Sequence, residues 1–202
     1  TWNHKRVYRV YTEMKLGLRS KRKKRIPKRV SEPLLQPLEP NLHWSMDFMM
    51  DNLSDGKKFR TLNVIDDFNR EALAIVSSKS ITANRVILEL EQLIEWRGKP
   101  EKIRVDNGPE FIAEVLQNWT KSNNIELKFI QPGKPAQNGF IERFNRTYRS
   151  EILSMHLFQS LDEAQQKTNN WMVKYNHQRP HRSLNRMSPR AFLLKYGKLN
   201  EQ

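Results

Sequence analysis

Cysteine is absent from the 202-residue chain. Without thiols there is no disulfide framework and no thiolate metal site, so a zinc module of that kind is excluded. Long apolar runs are missing too. No stretch approaches the roughly 20 residues that cross a bilayer, and Thr1-Trp2-Asn3-His4-Lys5 lacks the run of a signal peptide. The expectation is a soluble cytoplasmic protein with no membrane partner. Internal repeats are not visible. Acids are scarce beside bases, 22 Asp and Glu against 36 Lys and Arg, which leaves a formal charge of +14. That imbalance implies a polyanionic partner. A chain of this length suits one compact domain with appendages and can bury a genuine core.

The positive charge is gathered at one end. Residues 1–30 hold twelve Lys and Arg and a single acid, Glu13. Within them Lys21-Arg22-Lys23-Lys24-Arg25 is too rich in like charge to pack alone. It reads as a solvated arm or as a DNA contact that binds phosphates by releasing counterions, and the two readings are compatible. Pro33, Pro37 and Pro40 close the linker, and Thr1 reads as the middle of a helical segment from a longer protein.

From Leu42 onward the pattern is that of a strand. Trp44, Met46, Phe48 and Met50 alternate with His43, Ser45, Asp47 and Met49, which puts Asp47 opposite the large apolar face. Asp55-Gly56 supplies a turn, and Phe59–Ile65 and Ala72–Val76 make two more antiparallel strands. Ala83, Val86, Ile87, Leu90, Leu93 and Ile94 recur at helical spacing until Gly98 and Pro100. A short strand of Ile103 and Val105 ends at Asp106. Pro109 then opens one helix carrying Ile112, Val115, Leu116 and Trp119. After a strand of Ile125, Leu127 and Phe129, the run Gln131-Pro132-Gly133-Lys134-Pro135 predicts a loop. A helix from Asn138 buries Ile141, Phe144, Tyr148 and Ile152, leaving Glu142, Asn145, Arg146 and Arg149 on a polar stripe. Ser160 and Glu163 cap a last long helix with Leu161, Ala164, Trp171 and Tyr175 inside, and Ser188-Pro189 opens a short terminal one.

This α+β order brings Asp47 and Asp106 side by side on adjacent strands, with the Glu142 helix able to lie across them. Three carboxylates offer only hard oxygen ligands, which suit magnesium or manganese and not zinc. Two such ions about 3.5 to 4 Å apart can clamp the attacking and leaving oxygens of an in-line phosphoryl displacement. Taken singly, each acid has an ordinary reading: an edge-strand carboxylate, a turn residue before Asn-Gly, and an acid in a first helical turn.

The words around the acids are Trp44-Ser45-Met46-Asp47-Phe48, Asp106-Asn107-Gly108-Pro109-Glu110-Phe111, and Gln137-Asn138-Gly139 leading to Glu142-Arg143-Phe144-Asn145, with 35 residues between Asp106 and Glu142. They resemble the DD(35)E core of retroviral integrases and bacterial insertion-sequence transposases over most of residues 40–195. The tail Tyr175-Asn176-His177-Gln178-Arg179-Pro180-His181 with Leu184, and Arg149 seven positions after the glutamate, resemble the insertion-sequence members. That resemblance implies a ribonuclease H-like fold, a five-stranded mixed sheet flanked by helices. It divides the chain into residues 1–40, a basic arm left from an upstream DNA-binding region; 41–155, the catalytic core; and 156–202, a helical extension. By the same resemblance Asp47, Asp106 and Glu142 are the catalytic, metal-holding residues, the cofactor is Mg2+ or Mn2+ as two ions, and the partners are double-stranded transposon ends and target DNA. Water attacks a phosphodiester at a transposon end, the freed 3′-hydroxyl attacks a second, and the protein acts as a homo-oligomer, nucleoid-associated when on DNA. The alternatives are a metal-dependent nuclease that only hydrolyses, and an inactive transposase-derived DNA-binding protein.

Other residues carry two readings each. Arg143, Arg146 and Arg149 contact DNA or form a solvated face, and Lys134, Gln137 and Asn138 order on DNA or belong to a loop that is simply flexible. Asp66 and Asp67 read as a turn or surface pair. His177 and His181, with no cysteine pair beside them, fix a turn or meet DNA rather than bind metal. Trp44, Trp119 and Trp171 fall on apolar stripes and read as core.

Overall fold

The computed structural model describes residues 2–16, 34–131 and 135–197. They belong to two compact units, residues 1–31 and 32–202. In the first, helix α1 (His4–Glu13) begins at Asn3, whose side chain accepts the Lys5 backbone N–H at 3.0 Å, and none of its residues is buried. Lys21, Arg22, Lys23, Lys24 and Arg25 lie outside the described residues.

In the second unit, β1 (His43–Asn52), β2 (Lys58–Asp66) and β3 (Ala72–Ser78) form the expected antiparallel meander. The turn between β1 and β2 needs Gly56, whose φ of +82° a side chain rarely adopts. Helix α2 (Ala83–Arg97) starts at the Thr82 cap and stops at Gly98. It is the crossover that a parallel pairing requires, and it delivers β4 (Lys102–Val105) to the free edge of β1. Beyond it, α3 (Pro109–Ile112), α4 (Glu114–Ser122) and β5 (Glu126–Phe129) complete a mixed five-stranded sheet of order β3-β2-β1-β4-β5. A 3-10 turn, Pro135–Asn138, leads into α5 (Gly139–Tyr148), and α6 (Leu161–Gln178) and α7 (Pro189–Tyr196) follow.

Because side chains alternate along a strand, the sheet builds two cores. Trp44, Met46, Leu62 and Val64 meet Val86, Leu90 and Leu93 of α2 on one face. Met49, Ile65 and Ile75 meet Ile141, Phe144 and Tyr148 of α5, with Trp171 and Tyr175 of α6, on the other. Asp47 shares the second face, so the strand that supplies one core also points a carboxylate at α5.

Three local expectations fail for identifiable reasons. Met50 is exposed: β4 pairs with β1 only as far as Ser45, and the far half of β1 has β2 as its sole partner strand. The helix expected from Pro109 is two helices, interrupted at Ala113 with ψ near 131°, and Ile112 and Val115 are exposed. Phe111 and Leu116, both fully buried, would stand about 140° apart on a continuous helix; the interruption lets both reach the core. Asn145, expected on a polar stripe, is buried against the sheet. No helix among the described residues is long and apolar enough to cross a membrane.

Candidate active site

Strand geometry sets the first two carboxylates. In the parallel β1/β4 ladder Trp44 faces Ile103 and Ser45 faces Arg104; the paired stretch ends there, two residues before Asp47 on β1 and two before Asp106 after β4. Asp47 is anchored from two sides. Its Oδ2 accepts Nδ2 of Asn145 at 2.7 Å, and its Oδ1 accepts the Phe48 backbone N–H at 2.8 Å. Asn145 in turn accepts Nδ2 of Asn63 at 2.7 Å, and Asn63 is the residue opposite Asp47 on β2. The two amides therefore lock α5 onto the sheet at the level of the carboxylate.

Asp106 lies just past β4, where its Oδ1 accepts the Gly108 backbone N–H at 2.9 Å. A Cβ on Gly108 would sit 2.9 Å from that oxygen, so a side chain there would push the Asp106 carboxylate out of place. Asn107 ties the same loop to the end of β5 by donating to the Ile130 carbonyl at 3.1 Å. Glu142 occupies the first turn of α5 and is exposed, next to the buried Ile141.

The electrostatics register how near these acids are. Burial pushes the Asp47 carboxyl up to about 6, against the Phe48 hydrogen bond, and the charges of Asp106 and Glu142 push the same way. Even so, no group of three His, Cys, Asp or Glu side chains among the described residues is close enough to hold a metal ion as it stands.

One flank was not anticipated. Arg60 of β2 pairs with Glu110, holding that carboxyl below its usual range, and its guanidinium lies 4.3 Å from the centroid of Phe48. Phe48 stacks on Phe111 at 4.8 Å. The buttress beside Asp47 thus joins β1, β2 and α3. Phe48, Glu110 and Phe111 stand in the sequence words around Asp47 and Asp106, but no role followed for them there, and Arg60 carried no signal.

Asp66 and Asp67 open the expected turn but are no surface pair. Asp66 ends β2 and Asp67 begins the turn after it, and both are fully buried. Asp66 accepts the backbone N–H groups of Asn41 and Phe68, and Asp67 accepts Oγ of Ser45 and Nη1 of Arg104, each at 2.7 Å. Nearby, Arg97 bonds Glu71 at 2.7 Å, and Asn69 reaches the Pro189 carbonyl of α7. The C-terminal helices and the linker bury this end of the sheet, which no local pattern could announce.

The remaining candidates separate. Lys134 lies outside the described residues. Gln137 is half-buried and its side-chain oxygen accepts the Gln131 backbone N–H, and Asn138 is 3% exposed with its Oδ1 buried. Arg143 and Arg146 are exposed on α5, whereas Arg149 donates to the Met50 carbonyl at 2.7 Å. His177 is exposed; His181 fixes a turn, its backbone pairing with Met187. Trp44 and Trp171 are core, and Trp119 is half-buried with its ring N–H on Glu91.

Comparison with known proteins fits this geometry. Two integrase core domain models match, at residues 37–135 and 123–189. The chain is 42% identical over 194 residues to the insertion element IS407 uncharacterized 31.7 kDa protein of Burkholderia multivorans, covering 96% of this chain and 70% of that one. It is 40% identical over 194 residues to the insertion element IS476 uncharacterized 39.2 kDa protein of Xanthomonas euvesicatoria, covering 96% of this chain and 56% of the relative. Among solved structures, the HTLV-2 integrase catalytic core domain in complex with magnesium, in a trimeric form, aligns with a TM-score of 0.60 at 22% identity, over 77% of this chain and 97% of that one. That likeness shows the fold, the ribonuclease H-like mixed sheet with flanking helices. With the carboxylate-bearing strands and helix lying inside the matched segments, the chain belongs to the integrase core domain family of insertion-element proteins.

Proposed function

We propose that Asp47, Asp106 and Glu142 hold two divalent cations, Mg2+ or Mn2+, and that the protein uses this centre to cut the ends of its element and join them to target DNA. The observation that carries the reading is that the middle of β1, the end of β4 and the start of α5 each supply an acid around Asp47, whose carboxyl is raised by burial and by the other two. None of the three enters an ion pair among the described residues. A cluster of carboxylates without a protein cation is a site suited to hard metal ions. Glu142, exposed on the first turn of α5, is the side chain with room to swing in and complete the set.

Divalent cations there would polarise the phosphoryl group and lower the pKa of the attacking oxygen. The protein's own share is placement. Asn145 and the Phe48 N–H fix both oxygens of Asp47, and the Gly108 N–H fixes one oxygen of Asp106. A rigid frame of this kind favours in-line exchange, first with water and then with a 3′-hydroxyl as nucleophile. The +14 charge and the exposed Arg143 and Arg146 support double-stranded DNA as the partner, residues 1–40 as a basic arm toward it, and 156–202 as a helical extension of the core. The trimeric form of the HTLV-2 core supports a homo-oligomer. No observation favours a purely hydrolytic nuclease or an inactive DNA-binding derivative.

Glu142→Gln tests the centre. Joining of labelled 3′-hydroxyl ends in magnesium should fall by at least about 10³-fold, with DNA binding unchanged. Retained magnesium-dependent joining would overturn the assignment.

A further inference from the structure

The carboxylate centre leaves the tail motif without a role. Tyr175, Arg179 and His181 of that motif line a cleft of about 690 Å³, together with Arg70, Arg143 and Arg182. Its wall contains four arginines and no Asp or Glu.

Arg70 forms the buried part. The residue is 8% exposed, and its Nη1 has no hydrogen-bond partner among the described residues. Its guanidinium lies 3.4 Å from the centroid of Phe140, and its backbone is held at φ +61°, a region seldom occupied by arginine. The nearest acids are already engaged, Asp67 by Ser45 and Arg104, Asp66 by two backbone N–H groups. Burial pushes Arg70 down to about 10, which still leaves it charged at neutral pH. An inward cation with an unfilled donor is expensive unless an anion completes it.

The rest of the cleft repeats that preference. Arg179 is tethered by Glu151 and lies 6.0 Å from the Tyr175 ring centroid. Arg143 and Arg182 are exposed and form no ion pair among the described residues. His181, edge-on to Tyr175 at 5.0 Å, has a buried Nε2 without a partner. Burial and the charges of Arg179, Arg70 and Arg143 push its pKa down to about 4, so it stays a neutral donor or acceptor among cations.

We propose that this cleft binds a backbone phosphate of a DNA strand, with Arg70 at its base and Arg143 and Arg182 at its mouth. Guanidinium forks match phosphate oxygens in shape and charge. The choice of DNA over a free anion rests on the function proposed above. Placement supports it: Arg143, in the cleft wall, directly follows Glu142 on α5, so the cleft opens one residue along the helix from the carboxylate centre. Contacts of this kind position a strand without reading its sequence.

The test is binding of a short fluorescein-labelled oligothymidylate in EDTA, where the carboxylates have no metal to act through. Arg143→Ala and Arg182→Ala, both at exposed positions, should each weaken binding by about tenfold, and Lys121→Ala, an equal loss of charge on α4, by less than about twofold. In parallel, the Arg70 side-chain Nε–H resonance should shift as the oligonucleotide is added. Equal weakening in all three variants would overturn the proposal by reducing it to general charge. So would a shift of Arg70 with inorganic phosphate that the oligonucleotide neither reproduces nor displaces, because the site would then serve a free anion. Failure of the Glu142→Gln test with this binding intact indicts the carboxylate centre alone. Intact joining with unspecific binding indicts the cleft alone.

Discussion

Two groups of acids, one buried and one half-buried, have opposite surroundings beside the same central strands. Asp66 and Asp67, at the end of β2, are enclosed by backbone N–H groups, Ser45, Arg97 and Arg104. Asp47, in the middle of β1, meets two amide donors and two more acids. Burial raises both Asp47 and Asp66 to about 6, so the size of the shift does not separate a site from a strut. The company of each group does. Charges answered within the protein hold the fold together, and charges left facing one another are the ones proposed above to take up cations.

The contrast is sharpest in activity. Asp47→Asn should lower strand joining by at least about 10³-fold, measured per folded molecule, whereas Asp67→Asn should keep most of it. Loss of joining in both variants alike would erase the distinction. Stability should then reverse the ranking. Asp67→Ala leaves Arg104 buried beside an empty position, and chemical denaturation should show a loss of about 3–5 kcal/mol. Asp47→Asn removes a strained charge, and at pH 8 the protein should gain about 1 kcal/mol by the same measurement. A large loss there would show that the carboxylate is structural.

The smallest effects lie in the pH dependence. The folded pKa of Asp47 exceeds its unfolded value of 3.8, so the native state holds the proton more tightly. Its contribution is whole below pH 3.8 and disappears as pH rises through about 6, and the Asn variant should lack that slope. His181 has the opposite sign. Its folded value near 4 is below 6.5, so its contribution is whole above pH 6.5 and is lost as pH falls toward 4. Melting curves of His181→Asn between pH 7 and 4 should fall less steeply than those of the parent, by about 1 kcal/mol across the window. Parallel curves would place the imidazole in water.

Much of this was legible in order along the chain. Alternation from His43 to Met49 located β1 and aimed Asp47 away from the large apolar face, and helical spacing located α2 and α5. The interruption at Ala113 escaped because five-residue spacing of Phe111 and Leu116 fits no continuous helix, and the apolar count alone favoured one. Asn145 looked like surface because its partners, Asp47 and Asn63, are 98 and 82 residues away. Asp66 and Asp67 form the turn they looked like, but their burial was hidden for the same reason, since the segments that enclose them arrive from both ends of the unit.

By itself the sequence determined the charge balance, the strand and helix periods, and the identity and spacing of the three acids. Those are properties of residues and their near neighbours. Only the tertiary structure decided which acids are answered by arginine and which by one another, and that four arginines from three segments share one cleft. Such outcomes depend on which distant side chains meet out of water, where an unmatched charge is hardest to hold.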